Sequence, residues 1–176
     1  MKRRVYWISA VLAAALVIHL VTVFALPYAI LAYAGARFLS SSDGKANTIF
    51  HLEPVTAETR DVVMLSPDLL YSVCAYDVSK RPVRIVATVP DTYWSVSFYA
   101  SNTDNFFVAN DRQANAAPAE WILTSKHAQF PGWQSAVVII APSPKGVILF
   151  RTLVTDESRL DELIGIQKQA SCEPVF

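Results

Sequence analysis

The chain has 176 residues, 53% hydrophobic and 17% charged, with fifteen basic and fifteen acidic side chains and a mean hydropathy of +0.31. A charged fraction below the roughly 25% of a typical soluble domain, combined with this apolar excess, excludes a disordered chain. Five glycines and two cysteines exclude a collagen-like repeat and a disulfide-dense miniprotein, and formal neutrality gives no support to nucleic-acid binding.

From Arg4 to Arg37 no Asp, Glu, Lys or Arg intervenes, and His19 is the one strongly polar side chain in the interval. A bilayer core of roughly 30 Å needs about 20 apolar residues at 1.5 Å rise per residue, so the run Trp7 to Ile30 predicts a transmembrane helix. Tyr6 and Trp7 at one end, and Tyr28 and Tyr33 at the other, suit the aromatic belts of the headgroup level. Lys2, Arg3 and Arg4 precede the run, which places residues 1–6 in the cytoplasm and exports the rest across the inner membrane to the periplasm. The rival is a cleaved signal peptide ending near Ala34-Gly35-Ala36, but its apolar core is expected to be only about 7 to 15 residues. Pro27 is expected to kink or end the helix, and His19 reads as a neutral imidazole bonded to a neighbouring backbone.

Residues 31–50 read as a linker, with Ser40-Ser41-Ser42-Asp43-Gly44 as its polar part. The exported domain, 51–176, carries three more acidic than basic side chains counted from Arg37, a sign that disfavours anionic lipid and nucleic acid as partners. Its apolar pattern is mainly of period two. Leu70, Ser72, Cys74 and Tyr76 alternate with Tyr71, Val73, Ala75 and Asp77, and similar alternation runs over Val83–Val89 and Trp94–Phe98. Further strands are expected at 105–108, 121–124, 136–140 and 147–154, separated by turn clusters such as Ser79-Lys80-Arg81-Pro82 and Pro142-Ser143-Pro144-Lys145-Gly146. Leu160, Leu163, Ile164 and Gln167 then fall at helical spacing behind Thr155 or Asp156 as cap. The expected fold is a mostly β, antiparallel sandwich or partial barrel with a C-terminal helix, preceded by one transmembrane helix.

The string Ser66-Pro67-Asp68-Leu69-Leu70-Tyr71-Ser72, followed by Asp77-Val78, Pro82-Val83, Pro90 and Tyr93-Trp94-Ser95-Val96, resembles the opening half of the domain of unknown function 1254 family. Ser143-Pro144, Arg151-Thr152-Leu153-Val154, Asp161-Glu162-Leu163 and Ile166-Gln167 resemble its closing strand and short helix. The resemblance implies a sandwich-like β domain without an established biochemical role. Longer relatives join it to a second β domain, numbered 1214, which implies a companion membrane protein of that type as partner. The chain departs from the family at Ser66 and Leu69, within an Asn-x-Asp-Thr-Leu-Tyr-Ser pattern, and at Tyr99, near which the family carries an acidic residue.

Asp68, Tyr71, Asp77, Tyr93, Trp94, Asn102, Asn105 and Arg151 form the candidate pocket, because aromatic faces and an Arg opposite carboxylates can bind and orient a polar or sugar-like ligand. The competing reading gives Asp68 and Asp77 turns to cap, Asn102 and Asn105 bends, and Arg151 a structural pairing on a strand. No residue is assigned a catalytic role. Ser72, His51 and His127 are the nucleophile and base types on offer, but no Gly-x-Ser-x-Gly elbow surrounds Ser72. The histidines lie far apart and outside any His-x-x-His or Cys-x-x-Cys pattern, and no glycine loop suits phosphate, so neither metal nor cofactor is expected. Cys74 and Cys172 either form one disulfide in an oxidising compartment or remain a buried and an exposed thiol. The favoured function is a non-enzymatic binding or scaffold module. The alternative is a hydrolase-like envelope enzyme whose site the companion completes.

Overall fold

The computed structural model describes residues 2–41, 44–56, 65–114, 118–125 and 136–175, without the side chain of residue 41. Helix α1 (Lys2–Ser41) contains Pro27 without ending there, and Ser40 and Ser41 are its last residues rather than linker. Its apolar side chains are exposed all round, with Phe24 at 72%. The helix is long and apolar enough to cross a membrane, a property that a signal sequence near the N-terminus shares.

Among the described residues nine strands follow: β1 (Ile49–His51), β2 (Leu69–Asp77), β3 (Val83–Ala87), β4 (Trp94–Ala100), β5 (Asn105–Asn110), β6 (Ala119–Thr124), β7 (Val137–Ile140), β8 (Lys145–Leu153) and β9 (Ser171–Pro174). Between β8 and β9 lie a 3₁₀ turn (Glu157–Arg159) and helix α2 (Leu160–Gln167). Asp156 caps the turn, its carboxylate accepting from the Ser158 N–H at 2.8 Å, and this bond holds its pKa below the ordinary value. The strands form one sheet of order β1-β2-β8-β4-β5 and a second of order β7-β6-β3-β9. This is the mostly β architecture expected from the alternation, with a C-terminal helix behind an apolar N-terminal one. One pairing departs from the antiparallel expectation: β6 and β7 run parallel, with Trp121 opposite Val137. Parallel neighbours require a crossover of about a dozen residues rather than a hairpin, and the chain between Thr124 and Val137 supplies that length.

The alternation read from the sequence sorts the faces. Cys74, Tyr76, Val96, Phe98 and Ile148 of the first sheet meet Ile85, Trp121, Leu123 and Cys172 of the second in one core. Trp94 stacks on Trp121 with ring centroids 6.1 Å apart and planes 16° apart, joining the sheets through β4 and β6. Phe98 meets Phe107 edge to face at 5.3 Å. The cysteines are bonded, Cys74 on β2 to Cys172 on β9, so the disulfide also spans the two sheets.

The opposite face of the first sheet is apolar as well. Tyr71 and Val73 on β2 and Val147 on β8 are buried there, and the last turns of α1 run alongside. β1 adds a short edge strand to this sheet, its Phe50 pairing with Val73 and its His51 with Ser72.

Candidate functional site

The outward face of the first sheet carries a row of polar side chains in its middle. Register places Tyr71 of β2 beside Arg151 of β8, and Arg151 beside Ser95 of β4. The Arg151 Nη2 donates to the Ser97 Oγ and to the Tyr99 hydroxyl, each at 3.4 Å. The Arg151 Nε and the Ser95 Oγ are buried without a hydrogen-bond partner among the described residues. A guanidinium never deprotonates, and a buried donor left unmade costs about 1 to 3 kcal/mol. The row therefore holds a permanent cation with an unspent donor.

Beside this row, between the sheet and α1, lies a crevice of about 600 Å³ walled by Ile30, Ala34 and Phe38 on the helix and Val73, Val147 and Leu149 on the sheet. The Tyr71 and Tyr99 rings reach the same wall. Tyr71 accepts at its hydroxyl from the Ser66 N–H at 3.0 Å, and Tyr99 accepts from Arg151.

Of the eight residues proposed from the sequence, Tyr71 and Arg151 are brought side by side, and the others are dispersed. Asp77 ends β2, where it accepts from the Ser79 N–H at 2.9 Å and pairs with Lys145 at 3.4 Å. Its pKa lies below the ordinary value through these bonds to Ser79 and Lys145, which outweigh its partial burial. Six positions along one strand separate Asp77 from Tyr71, a distance of roughly 20 Å. Asp68 is exposed in the turn before β2, its carbonyl accepting from the Val154 N–H. Tyr93 is exposed ahead of β4, and Trp94 belongs to the inter-sheet core. Asn102 bonds Asp104 in the β4–β5 turn, and Asn105 is exposed where β5 begins.

Ser95 and Ser97 escaped the sequence reading because alternation with Trp94, Val96 and Phe98 marks them as solvent-facing. They are 4% and 3% exposed, which the period alone does not reveal. Tyr99 stood out there only as a departure from the family pattern.

A second polar contact lies on the inner side. The His51 Nδ1 and the Ser72 Oγ are 2.8 Å apart, brought together by the β1–β2 register. Burial, and after it the charge of Lys168, lowers the His51 pKa. Ser72 is 1% exposed, and the cavity it lines with Thr152 and Gln167 has about 10 Å³, room for one water. His127 lies outside the described residues. Among the described residues no three His, Cys, Asp or Glu side chains are grouped as metal ligands.

Fold and site together define a β-sandwich domain behind an apolar helix, with an Arg-centred polar row and an adjoining apolar crevice. The chain belongs to the DUF1254 family, described as a protein family of unknown function, whose model matches residues 46–174. The fold is similar to that of the VPA0106 protein of Vibrio parahaemolyticus, with a TM-score of 0.63 and 13% identity over 87% of this chain and 36% of that one. It is similar also to an uncharacterised protein of Burkholderia cenocepacia, with a TM-score of 0.51 and 17% identity over 68% of this chain and 35% of that one. The chain thus spans little more than a third of the length of either structure. No curated protein matches it.

Proposed function

We propose that the protein is a single-pass, membrane-anchored binding module of the cell envelope, non-enzymatic, whose exported sandwich docks a companion β-domain membrane protein. The observation that carries this reading is the edge of the second sheet. Among the described residues strand β7 pairs with β6 alone, and Val137, Val138 and Ile140 are 49%, 43% and 40% exposed. It contains no Lys, no Pro and no inward-pointing charge of the kind that blunts a free edge. Such an edge accepts a strand from another chain through its backbone groups, with the apolar side chains supplying contact area. In the two solved proteins the same fold is joined to further polypeptide, and family resemblance makes a 1214-type β domain the companion.

What supports the anchored reading is α1, an apolar run long enough to cross a membrane and preceded by Lys2, Arg3 and Arg4; in this reading those residues stay cytoplasmic and the sandwich is exported to the periplasm. The Cys74–Cys172 disulfide agrees with an oxidising compartment. The test is affinity purification of the full-length protein from native membranes in mild detergent, beside the Val138→Lys variant. A stoichiometric β-domain membrane protein retained by the parent and lost from the variant is expected. A lone parent protein contradicts the reading.

The hydrolase-like alternative takes the aromatic and acidic cluster as its pocket, yet Asp77 stands roughly 20 Å along β2 from Tyr71, the neighbour of Arg151, and the His51–Ser72 contact is the other pairing it could use. Its serine lacks access to any space larger than a water. Ser72→Ala is therefore expected to leave capture of the companion unchanged.

A further inference from the structure

The crevice between α1 and the first sheet is unlike an ordinary solvent-facing sheet surface. A sandwich sheet normally turns polar residues outward, yet here Val73, Val147 and Leu149 point away from the inter-sheet core toward the helix. On the helix side Ile30, Ala34 and Phe38 recur at a spacing of four, which keeps them on one face over two turns. Both walls are therefore mainly apolar, and Arg37, Glu53 and Thr103 also line the crevice. Its volume of about 600 Å³ lies within the roughly 300 to 1,000 Å³ typical of sites that enclose a small molecule.

We infer that this crevice is a lipid site, which takes one acyl chain of a membrane phospholipid from the leaflet where α1 leaves the bilayer and holds its ester carbonyl at Tyr99. The inference rests on the membrane-anchored reading of α1. Continuity identifies the occupant. The run Trp7 to Ile30 carries no Asp, Glu, Lys or Arg and is largely exposed, and that same helix lines the crevice from Ile30 to Phe38 with no break in the backbone. From Ile30 to Phe38 the helix rises only about 12 Å, within reach of an acyl chain that remains partly in the bilayer.

Polar chemistry stands at one wall. The Tyr99 hydroxyl accepts from Arg151, so its own proton remains to be donated, and the guanidinium behind it strengthens that donation. Tyr71 is equally placed as a donor, since its oxygen accepts from the Ser66 N–H. Two donor hydroxyls in an apolar crevice match a carbonyl acceptor on a long chain.

The test reconstitutes the full-length protein in phosphatidylethanolamine and phosphatidylglycerol vesicles containing a trace of phospholipid with a photoactivatable diazirine in its acyl chain. After irradiation the labelled residues are mapped by mass spectrometry. Label is expected on β8 between Val147 and Leu149 as well as on α1 between Trp7 and Ile30. Ala34→Trp, which fills the crevice from the exposed helix and leaves the sandwich core untouched, is expected to lower the β8 label at least fivefold with the α1 label unchanged. Tyr99→Phe is expected to lower the β8 label about two- to threefold. Label confined to α1, or β8 label indifferent to Ala34→Trp, overturns the lipid site and leaves the anchor standing. Absence of label on α1 overturns the anchor itself, and the lipid site with it.

Discussion

Cys74 in the middle of β2 and Cys172 on β9 are bonded across the sandwich, with Cα atoms 6.5 Å apart and 98 positions apart in the chain. The bond fastens an interior strand of one sheet to the edge strand of the other. In the loop-entropy description a closure of this length contributes about 4 to 5 kcal/mol. Cys172→Ser is expected to lower the unfolding free energy by that order and to abolish the mobility change on reduction. The measurement is denaturant unfolding of the full chain in detergent, with electrophoresis in the presence and absence of reductant.

Gly146 stands where no side chain fits. A Cβ there would collide with the Tyr99 carbonyl and lie 2.5 Å from the Tyr76 hydroxyl, and Tyr76 is itself fully packed in the core. Burial pushes the Tyr76 pKa up to about 12, so the ring carries no charge that could draw it toward water. Gly146→Ala is expected to cost about 1 to 3 kcal/mol through forced displacement of β4 or of the Tyr76 ring. A melting curve superimposable on the parent's would exclude this close approach.

His51 supplies the pH dependence. Its folded pKa lies below the ordinary histidine value of 6.5, so the unfolded chain binds more protons than the folded one as the solution is acidified through that range. Stability from this group is complete above about pH 6.5 and falls as pH drops from there to the folded pKa, below which it no longer changes. Protonation also makes the His51 Nδ1 a donor, so that the Ser72 Oγ 2.8 Å away must then accept. His51→Gln is expected to flatten this part of the stability profile, read by chemical denaturation between pH 5 and about 7.5.

The Trp94–Trp121 stack bridges the sheets at 6.1 Å, and both rings are 3% exposed. Trp94→Ala is expected to destabilise by about 3 to 5 kcal/mol, and Trp94→Phe by less, because a ring still fills part of the space. Intrinsic fluorescence during unfolding reports the same contact, with a red shift as both indoles reach water.

Strands with a buried and an open or helix-covered face were legible from period two: β2, β3 and β4 begin and end close to the expected limits. β1 and β9 were not, since three residues of β1 are too few to show a period and β9 ends in Glu173 and Pro174. Their existence depends on partners far away in sequence, β2 for the one and β3 for the other. Strand direction is equally non-local, which is why the parallel β6–β7 pair departed from the antiparallel expectation. Arg151 drew attention as an Arg that could stand opposite carboxylates and orient a polar group. Its partners Ser97 and Tyr99 belong to a neighbouring strand, and only the β4–β8 register brings them within reach.

The anchored, exported placement of the sandwich is tested most directly by protease treatment of intact spheroplasts from cells carrying the full-length protein with an N-terminal tag. The sandwich is expected to be digested from outside while a tagged fragment containing α1 survives, stays in the membrane pellet and resists alkaline extraction. Full protection of the sandwich in intact spheroplasts, or release of the tagged fragment by alkali, would contradict it.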